Sequence, residues 1–288
     1  MIRIGLSSYS LYRAINAGEM DILGAIDFVA ENGAKEIEIV PSGYTVNGND
    51  DLCAKIVAKS KDSGIGLSSY TIGANFIQPD AKALREEINR VKGEVETAAK
   101  LGVVRMRHDC AYQPKEKCSL ANLEKDLPIL VNACGEIADY AARYGITTSV
   151  ENHGFYIQGS ERVQRLVLAV GRENFRTTMD VGNFLCADED PVIAAMNNLP
   201  FASMIHFKDF HVRHTVPPCK EGYIETLHGR FIRGAVTGDG DVDLTTITRL
   251  IKESNYDGSI SIEYEGWDEC KASCKRAIKN VKALFGEE

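Results

Sequence analysis

Two rhythms of hydrophobic residues alternate along this chain. Short runs rich in apolar and β-branched residues stand at Ile2–Leu6, Glu36–Val40, Gly66–Tyr70, Val103–Arg107, Thr147–Val150, Arg176–Met179, Ala202–Ile205 and Ser259–Ile262. Runs of this length bounded by turn-formers read as strands. Between them, apolar residues recur at helical spacing: Ile22, Ile26 and Val29; Leu84, Ile88, Val91 and Val95; Ile129, Ala133 and Ile137; Ile247, Leu250 and Ile251. Residues three and four apart share one face of a helix, so each group predicts an amphipathic helix laid on a sheet. Asn32-Gly33, Ser63-Gly64, Leu101-Gly102 and Tyr144-Gly145 stand just before strand-like runs, where glycine can end a helix in the left-handed conformation. The repeating unit is strand, helix, glycine, strand.

Eight such strands predict an α/β fold, a (β/α)8 TIM barrel forming a single domain over residues 1–288. No linker rich in Pro, Gly and Ser divides the chain. The stretch from Phe207 to Asp241 breaks the rhythm with five glycines and Pro217-Pro218. It is expected to be a long loop at the active face that covers the substrate.

Composition narrows the function classes. With 44% hydrophobic residues the chain can bury a large core. A net charge of −8 and a pI near 5.4 argue against a dedicated nucleic-acid surface, which needs a basic stripe. No apolar run reaches the ~18 residues of a membrane span, and Met-Ile-Arg-Ile-Gly-Leu enters a strand with no leader pattern. A soluble cytoplasmic protein is expected. Eight cysteines without a Cys-x-x-Cys pair predict reduced thiols and no structural zinc.

The chemistry gathers at strand ends. Glu151, Asp180, His206 and Glu263 each follow an apolar run. Three carboxylates and one imidazole suit Mn2+, Mg2+, Co2+ or Zn2+. Groups at the same end of successive parallel strands converge on the face where barrels build active sites. All six histidines lie outside the helical patterns. His108, after the fourth strand, and His153, after the fifth, are expected to touch substrate, whereas His211, His214 and His228 read as solvated. Lys208 could donate to a substrate oxygen or pair with a neighbouring acid. Arg213, Lys220, Arg230 and Arg233 could hold a substrate phosphate or carboxylate, or only offset the acidic rim. No phosphate-binding glycine fingerprint is present, so no nicotinamide cofactor is implied.

Glu151-Asn152-His153-Gly154, Met179-Asp180-Val181-Gly182-Asn183, His206-Phe207-Lys208-Asp209 and Ile262-Glu263-Tyr264-Glu265-Gly266 together resemble the xylose-isomerase-like barrel superfamily of sugar isomerases and epimerases. The likeness runs the length of the chain and includes the turn Gly238-Asp239-Gly240-Asp241-Val242-Asp243. It implies metal ligation by Glu151, Asp180, His206 and Glu263, with Mn2+ the first expectation, and acid and base roles for Glu151 and Glu263. It also implies substrate contacts at Asn183, where several epimerase relatives carry histidine, and at Arg213. The activity implied is a divalent-metal-dependent sugar isomerase or epimerase acting on a ketose through an enediolate. Dehydratases of the dehydroshikimate or inosose type begin with the same proton abstraction and are the alternative. An apurinic endonuclease would need further ligands and a basic surface. The resemblance further implies a small sugar-derived substrate and a homo-oligomer, with no nucleic-acid or membrane partner.

Overall fold

The computed structural model describes residues 2–287. Its strands are β1 (Arg3–Ser7), β2 (Glu36–Ile39), β3 (Gly66–Ile72), β4 (Arg105–His108), β5 (Thr147–Glu151), β6 (Phe175–Asp180), β7 (Ala202–Phe207), β8 (Asp209–Arg213), β9 (Ile224–Glu225), β10 (Phe231–Ala235) and β11 (Ser259–Ile262). Eight of them close a barrel in the order β1-β2-β3-β4-β5-β6-β7-β11, and every neighbouring pair is parallel. These are the eight strands expected from the apolar runs, with ends shifted by one or two residues.

Helices α1 (Tyr12–Asn16), α2 (Ile22–Glu31), α3 (Asp50–Ser63), α4 (Ala81–Leu101), α5 (Leu120–Ala142), α6 (Ser160–Val170), α7 (Pro191–Asn198), α8 (Leu244–Glu253) and α9 (Cys270–Phe285) accompany the barrel. Their starts are written in the sequence: the side chains of Asp21, Asn49, Asp80, Ser119, Asp190 and Asp243 each accept a backbone N–H of the first turn, worth about 1 kcal/mol apiece. Their ends are too. Gly33, Gly64, Gly102 and Gly145 all take positive φ, as the punctuation predicted. In α2, Ile22, Ala25, Ile26 and Val29 pack inward, and in α4 Ile88, Val91 and Val95 do so. In α5 the buried stripe is Leu130, Ala133, Cys134 and Ile137. Ile129 is 40% exposed there, one position off the face expected of it.

The stretch after β7 is not the irregular loop expected. Strands β8 and β10 pair antiparallel, from Phe231 opposite Arg213 to Ala235 opposite Asp209, and β9 adds to the other side of β10. Asp188, in the loop after β6, fastens this small sheet. Its carboxylate accepts from Arg230 Nε at 2.6 Å, the Thr226 hydroxyl at 2.7 Å and His228 N at 2.7 Å. Asp209 shapes the exit to α8, because its carboxylate accepts the N–H groups of Gly238, Gly240 and Val242. A side chain at Gly240 would collide with that carboxylate.

All eight cysteines are free, and only Cys219 is exposed. Among the described residues no helix is long and apolar enough to cross a membrane.

Candidate metal centre

Side chains alternate across a strand, so residues two apart point the same way. Inside this barrel that parity aims Glu38 from β2, Thr71 from β3, Arg107 from β4, Glu151 from β5, Asp180 from β6, His206 from β7 and Glu263, just past β11, at one place. Glu151, Asp180, His206 and Glu263 each offer a ligand atom, and these atoms lie within 4.8 Å of one another. The four residues predicted as a set are therefore together and buried.

Each is held by neighbours of its own. Asp180 Oδ1 accepts the backbone N–H groups of Gly182 and Asn183 at 2.8 and 2.9 Å. The Asn183 amide donates to Glu151 Oε1 at 2.8 Å, and Arg107 Nε lies 3.0 Å from Glu151 Oε2. His206 Nε2 lies 3.1 Å from Glu38, while Nδ1 lies 2.7 Å from Glu263 Oε2. Lys208 Nζ stands among Asp180 at 3.4 Å, Glu263 at 3.2 Å and Glu265 at 3.3 Å.

The donor set fits a divalent cation. Two of its atoms, His206 Nδ1 and Asp180 Oδ2, are buried without a well-formed hydrogen bond, although ionic partners stand near both. Orphaned acceptors this deep are costly unless something else satisfies them. Three oxygens and one imidazole nitrogen make a hard-to-borderline set that suits Mg2+, Mn2+, Co2+ or Zn2+.

Electrostatics divides the acids. Burial pushes Glu151 up to about 7 despite Arg107, and burial likewise raises Asp180. Glu263 feels the same burial, but Lys208 and His206 outweigh it and hold the carboxyl well below its ordinary range. His206 goes the other way: burial disfavours its charge, yet Glu38, Glu151 and Glu263 together raise it well above an ordinary imidazole. A pair of carboxylates driven apart in this way is the usual mark of an acid and a base.

A cavity of about 140 Å³ opens over the cluster, lined in part by Ser7, Tyr9, Thr71, His153, Lys208 and Glu265. A second hollow of about 290 Å³ adjoins it and shares Val40, Thr71 and Arg107. A larger cavity, about 790 Å³, lies elsewhere, at the start of the strands among Arg105, Arg176, Met196 and Tyr256. Size alone would choose it. The convergence of buried titratable groups chooses the smaller one.

Of the expected substrate contacts, His153 and Lys208 line the cavity. Asn183 sits behind Glu151, its Oδ1 3.3 Å from Lys208 Nζ. His108 does not reach the cavity. It follows the inward-facing Arg107 by one residue and so points outward, fully buried against Phe76 and Phe175 with Nδ1 2.8 Å from the Asp109 carbonyl. Arg213 is not there either: it is exposed at the end of β8 and donates to the carbonyl of Val212. Nor does the β8–β10–β9 sheet line the cavity, so the expected cover is corrected to a neighbouring platform.

Glu38 and Arg107 escaped the sequence reading. Both belong to strands in which charged and apolar residues alternate, Glu36-Ile37-Glu38-Ile39 and Arg105-Met106-Arg107. That alternation inside a buried strand was the available signal.

An eight-stranded parallel barrel carrying a carboxylate and imidazole cluster at the ends of its strands is the class these features define. The chain belongs to the xylose isomerase-like TIM barrel family, whose model matches residues 26–283. It is 28% identical over 164 residues to an inosose dehydratase of Lactiplantibacillus plantarum, covering 52% of this chain and 53% of that protein. The chain thus spans about half the length of that curated relative. Its fold is similar to D-psicose 3-epimerase from Clostridium cellulolyticum H10, with a TM-score of 0.75, 17% identity and coverage of 98% and 99% of the two chains. It is also similar to the probable 3-DHS dehydratase of Bacillus anthracis, with a TM-score of 0.74, 16% identity and coverage of 98% and 99%.

Proposed function

We propose that this protein is a divalent-metal-dependent enzyme that removes a proton from the carbon next to a carbonyl in a small polyhydroxylated ketone. The observation that carries this reading is the cluster of Glu151, Asp180, His206 and Glu263, whose ligand atoms lie within 4.8 Å of one another, with the two glutamates pushed in opposite directions in acidity. Glu151, Asp180, His206 and Glu263 would hold the cation, which supplies charge stabilisation for the oxyanion that develops. Glu263, kept ionised by Lys208 and His206, takes the carbon-bound proton. Lys208 keeps a positive charge beside the site and offsets part of the negative charge formed during enolisation.

The substrate is uncharged in this reading. Arg107 pairs with Asp109 and Glu151, and Lys208 with three carboxylates, so no cation lining the cavity is free to receive a phosphate. Hydroxyls at Ser7, Tyr9 and Thr71 and the carboxylate of Glu265 suit sugar hydroxyl groups instead.

Dehydration is the fate we favour for the enolate. The proton held by Glu263 leaves with the neighbouring hydroxyl as water, and a carbon–carbon double bond forms. The relative matched in sequence is named a dehydratase, whereas the likeness to the epimerase is one of fold alone. Epimerisation or aldose–ketose isomerisation is the second reading, supported by a second carboxylate, Glu151, able to return a proton. Incubation of the metal-loaded protein with inososes and free ketoses tests the choice. Dehydration gives a product lighter by one water with a new ultraviolet absorbance, and isomerisation conserves mass. A protein that does neither, and exchanges no carbon-bound hydrogen, overturns the reading.

A further inference from the structure

We infer that Glu38 is the positioning residue that makes Nδ1, rather than Nε2, the nitrogen His206 offers to a metal. The inference rests on the metal reading of the cluster and concerns a residue outside it.

Glu38 lies in β2, three barrel strands away from β7, and is completely buried. Its carboxylate meets three groups: His206 Nε2 at 3.1 Å, the Thr71 hydroxyl at 2.6 Å and the Ser261 hydroxyl at 3.4 Å. An ionised carboxylate only accepts hydrogen bonds. Nε2 therefore carries a proton toward Glu38, and because a ligating imidazole is neutral, Nδ1, the nitrogen facing the cluster, is the one left to give up its own proton and offer a lone pair. Nδ1 is the atom turned toward Glu263 and Glu151, at 2.7 and 3.6 Å, and it has no well-formed hydrogen bond of its own. Threonine and serine from β3 and β11 hold Glu38 from either side, so the orientation is fixed by three strands besides β7. A carboxylate behind a ligating histidine orients the ring and raises its basicity, and loss of such a partner lowers metal affinity about 10- to 100-fold.

The test measures binding and tautomer, not turnover. Mn2+ affinity is measured by titration for the wild type, Glu38→Gln, Glu38→Ala and Thr71→Val, with thermal melting of each metal-free protein as a check on folding. Nitrogen-15 NMR of the Zn2+-loaded wild type reports which ring nitrogen of His206 bears hydrogen. The expected result is hydrogen on Nε2 and metal on Nδ1, a loss of about 10- to 100-fold in affinity for Glu38→Ala, and smaller losses for Glu38→Gln and Thr71→Val. Thr71→Val decides the matter if both Glu38 variants fail to fold, since it loosens Glu38 without removing it. Metal on Nε2, or wild-type affinity in every folded variant, overturns the inference while leaving the metal site standing. A wild-type protein that binds neither Mn2+ nor Zn2+ overturns the metal reading itself and the inference with it.

Discussion

Arg107 Nε lies 3.0 Å from Glu151 Oε2, and the same guanidinium reaches Asp109 Oδ1 at 2.7 Å through Nη2. One buried cation thus joins the proposed metal cluster to Asp109, which in turn lies 3.2 Å from Nδ1 of His153 at the cavity edge. Removing it strands two carboxylates. Arg107→Met is expected to cost about 3–5 kcal/mol of folding stability, the usual penalty for breaking a buried pair by deleting one partner. Urea unfolding of the metal-free protein measures it, and a loss under about 1 kcal/mol would show that the pair is solvated instead.

Metal binding should compete with protons. Burial holds Glu151 at about 7, and His206 is raised well above an ordinary imidazole by Glu38, Glu151 and Glu263 acting against burial. Both must lose their protons to act as ligands. Apparent Mn2+ affinity should therefore rise with pH through about 7, by up to about tenfold per pH unit for each proton displaced. Calorimetry in buffers of different ionisation enthalpy counts the protons released. Affinity independent of pH across this range, with no proton release, would contradict the account.

His108 makes a separate pH prediction because it lies outside the cavity. Burial lowers its pKa to about 4, against about 6.5 in an unfolded chain. The folded state thus binds fewer protons than the unfolded state between those values. The stability tied to this group is complete above about pH 6.5 and is lost as pH falls toward about 4, by about 3 kcal/mol in all. His108→Leu should flatten that part of the stability curve. Parallel curves for variant and wild type would show that other groups govern the acid limb.

These residues also mark what was legible beforehand. Strand and helix positions could be read because barrel strands and their covering helices are local patterns closed by local signals, such as the left-handed glycines at 33, 64, 102 and 145. The clustering of Glu151, Asp180, His206 and Glu263 was readable because a polar residue after each of several apolar runs points to one end of the barrel. His108 was misplaced by parity: proximity to a strand end does not say which way a side chain points, and its neighbour Arg107 holds the inward position. The sheet of β8, β9 and β10 was hidden because β8 and β10 pair across the long stretch 214–230, and β9, joined to β10 by the short connection 226–230, is only two residues long. Arg213 went with it, carried to the exposed end of β8 rather than toward the cavity.

Glu263 and Glu151 should differ in what their loss does. Glu263→Gln removes the proposed base and should lower the rate of proton abstraction by about 10²–10⁴-fold. Glu151→Gln should reduce metal affinity and turnover, and in an epimerase it would spare hydrogen exchange on one face while blocking inversion. Rate measurements at saturating metal separate the effects. Wild-type exchange by Glu263→Gln would remove Glu263 from the chemistry.

The most direct measurement is proton NMR in heavy water of wild-type protein loaded with Mg2+, incubated with inososes and with free and phosphorylated ketoses. The account predicts deuterium entering at a carbon beside the carbonyl, or loss of that hydrogen with water, for an unphosphorylated substrate, no such change with metal-free protein, and a rate about 10²–10⁴-fold lower with Glu263→Gln. Full activity in the metal-free protein, or no exchange and no water loss across the whole panel with metal bound, would contradict it.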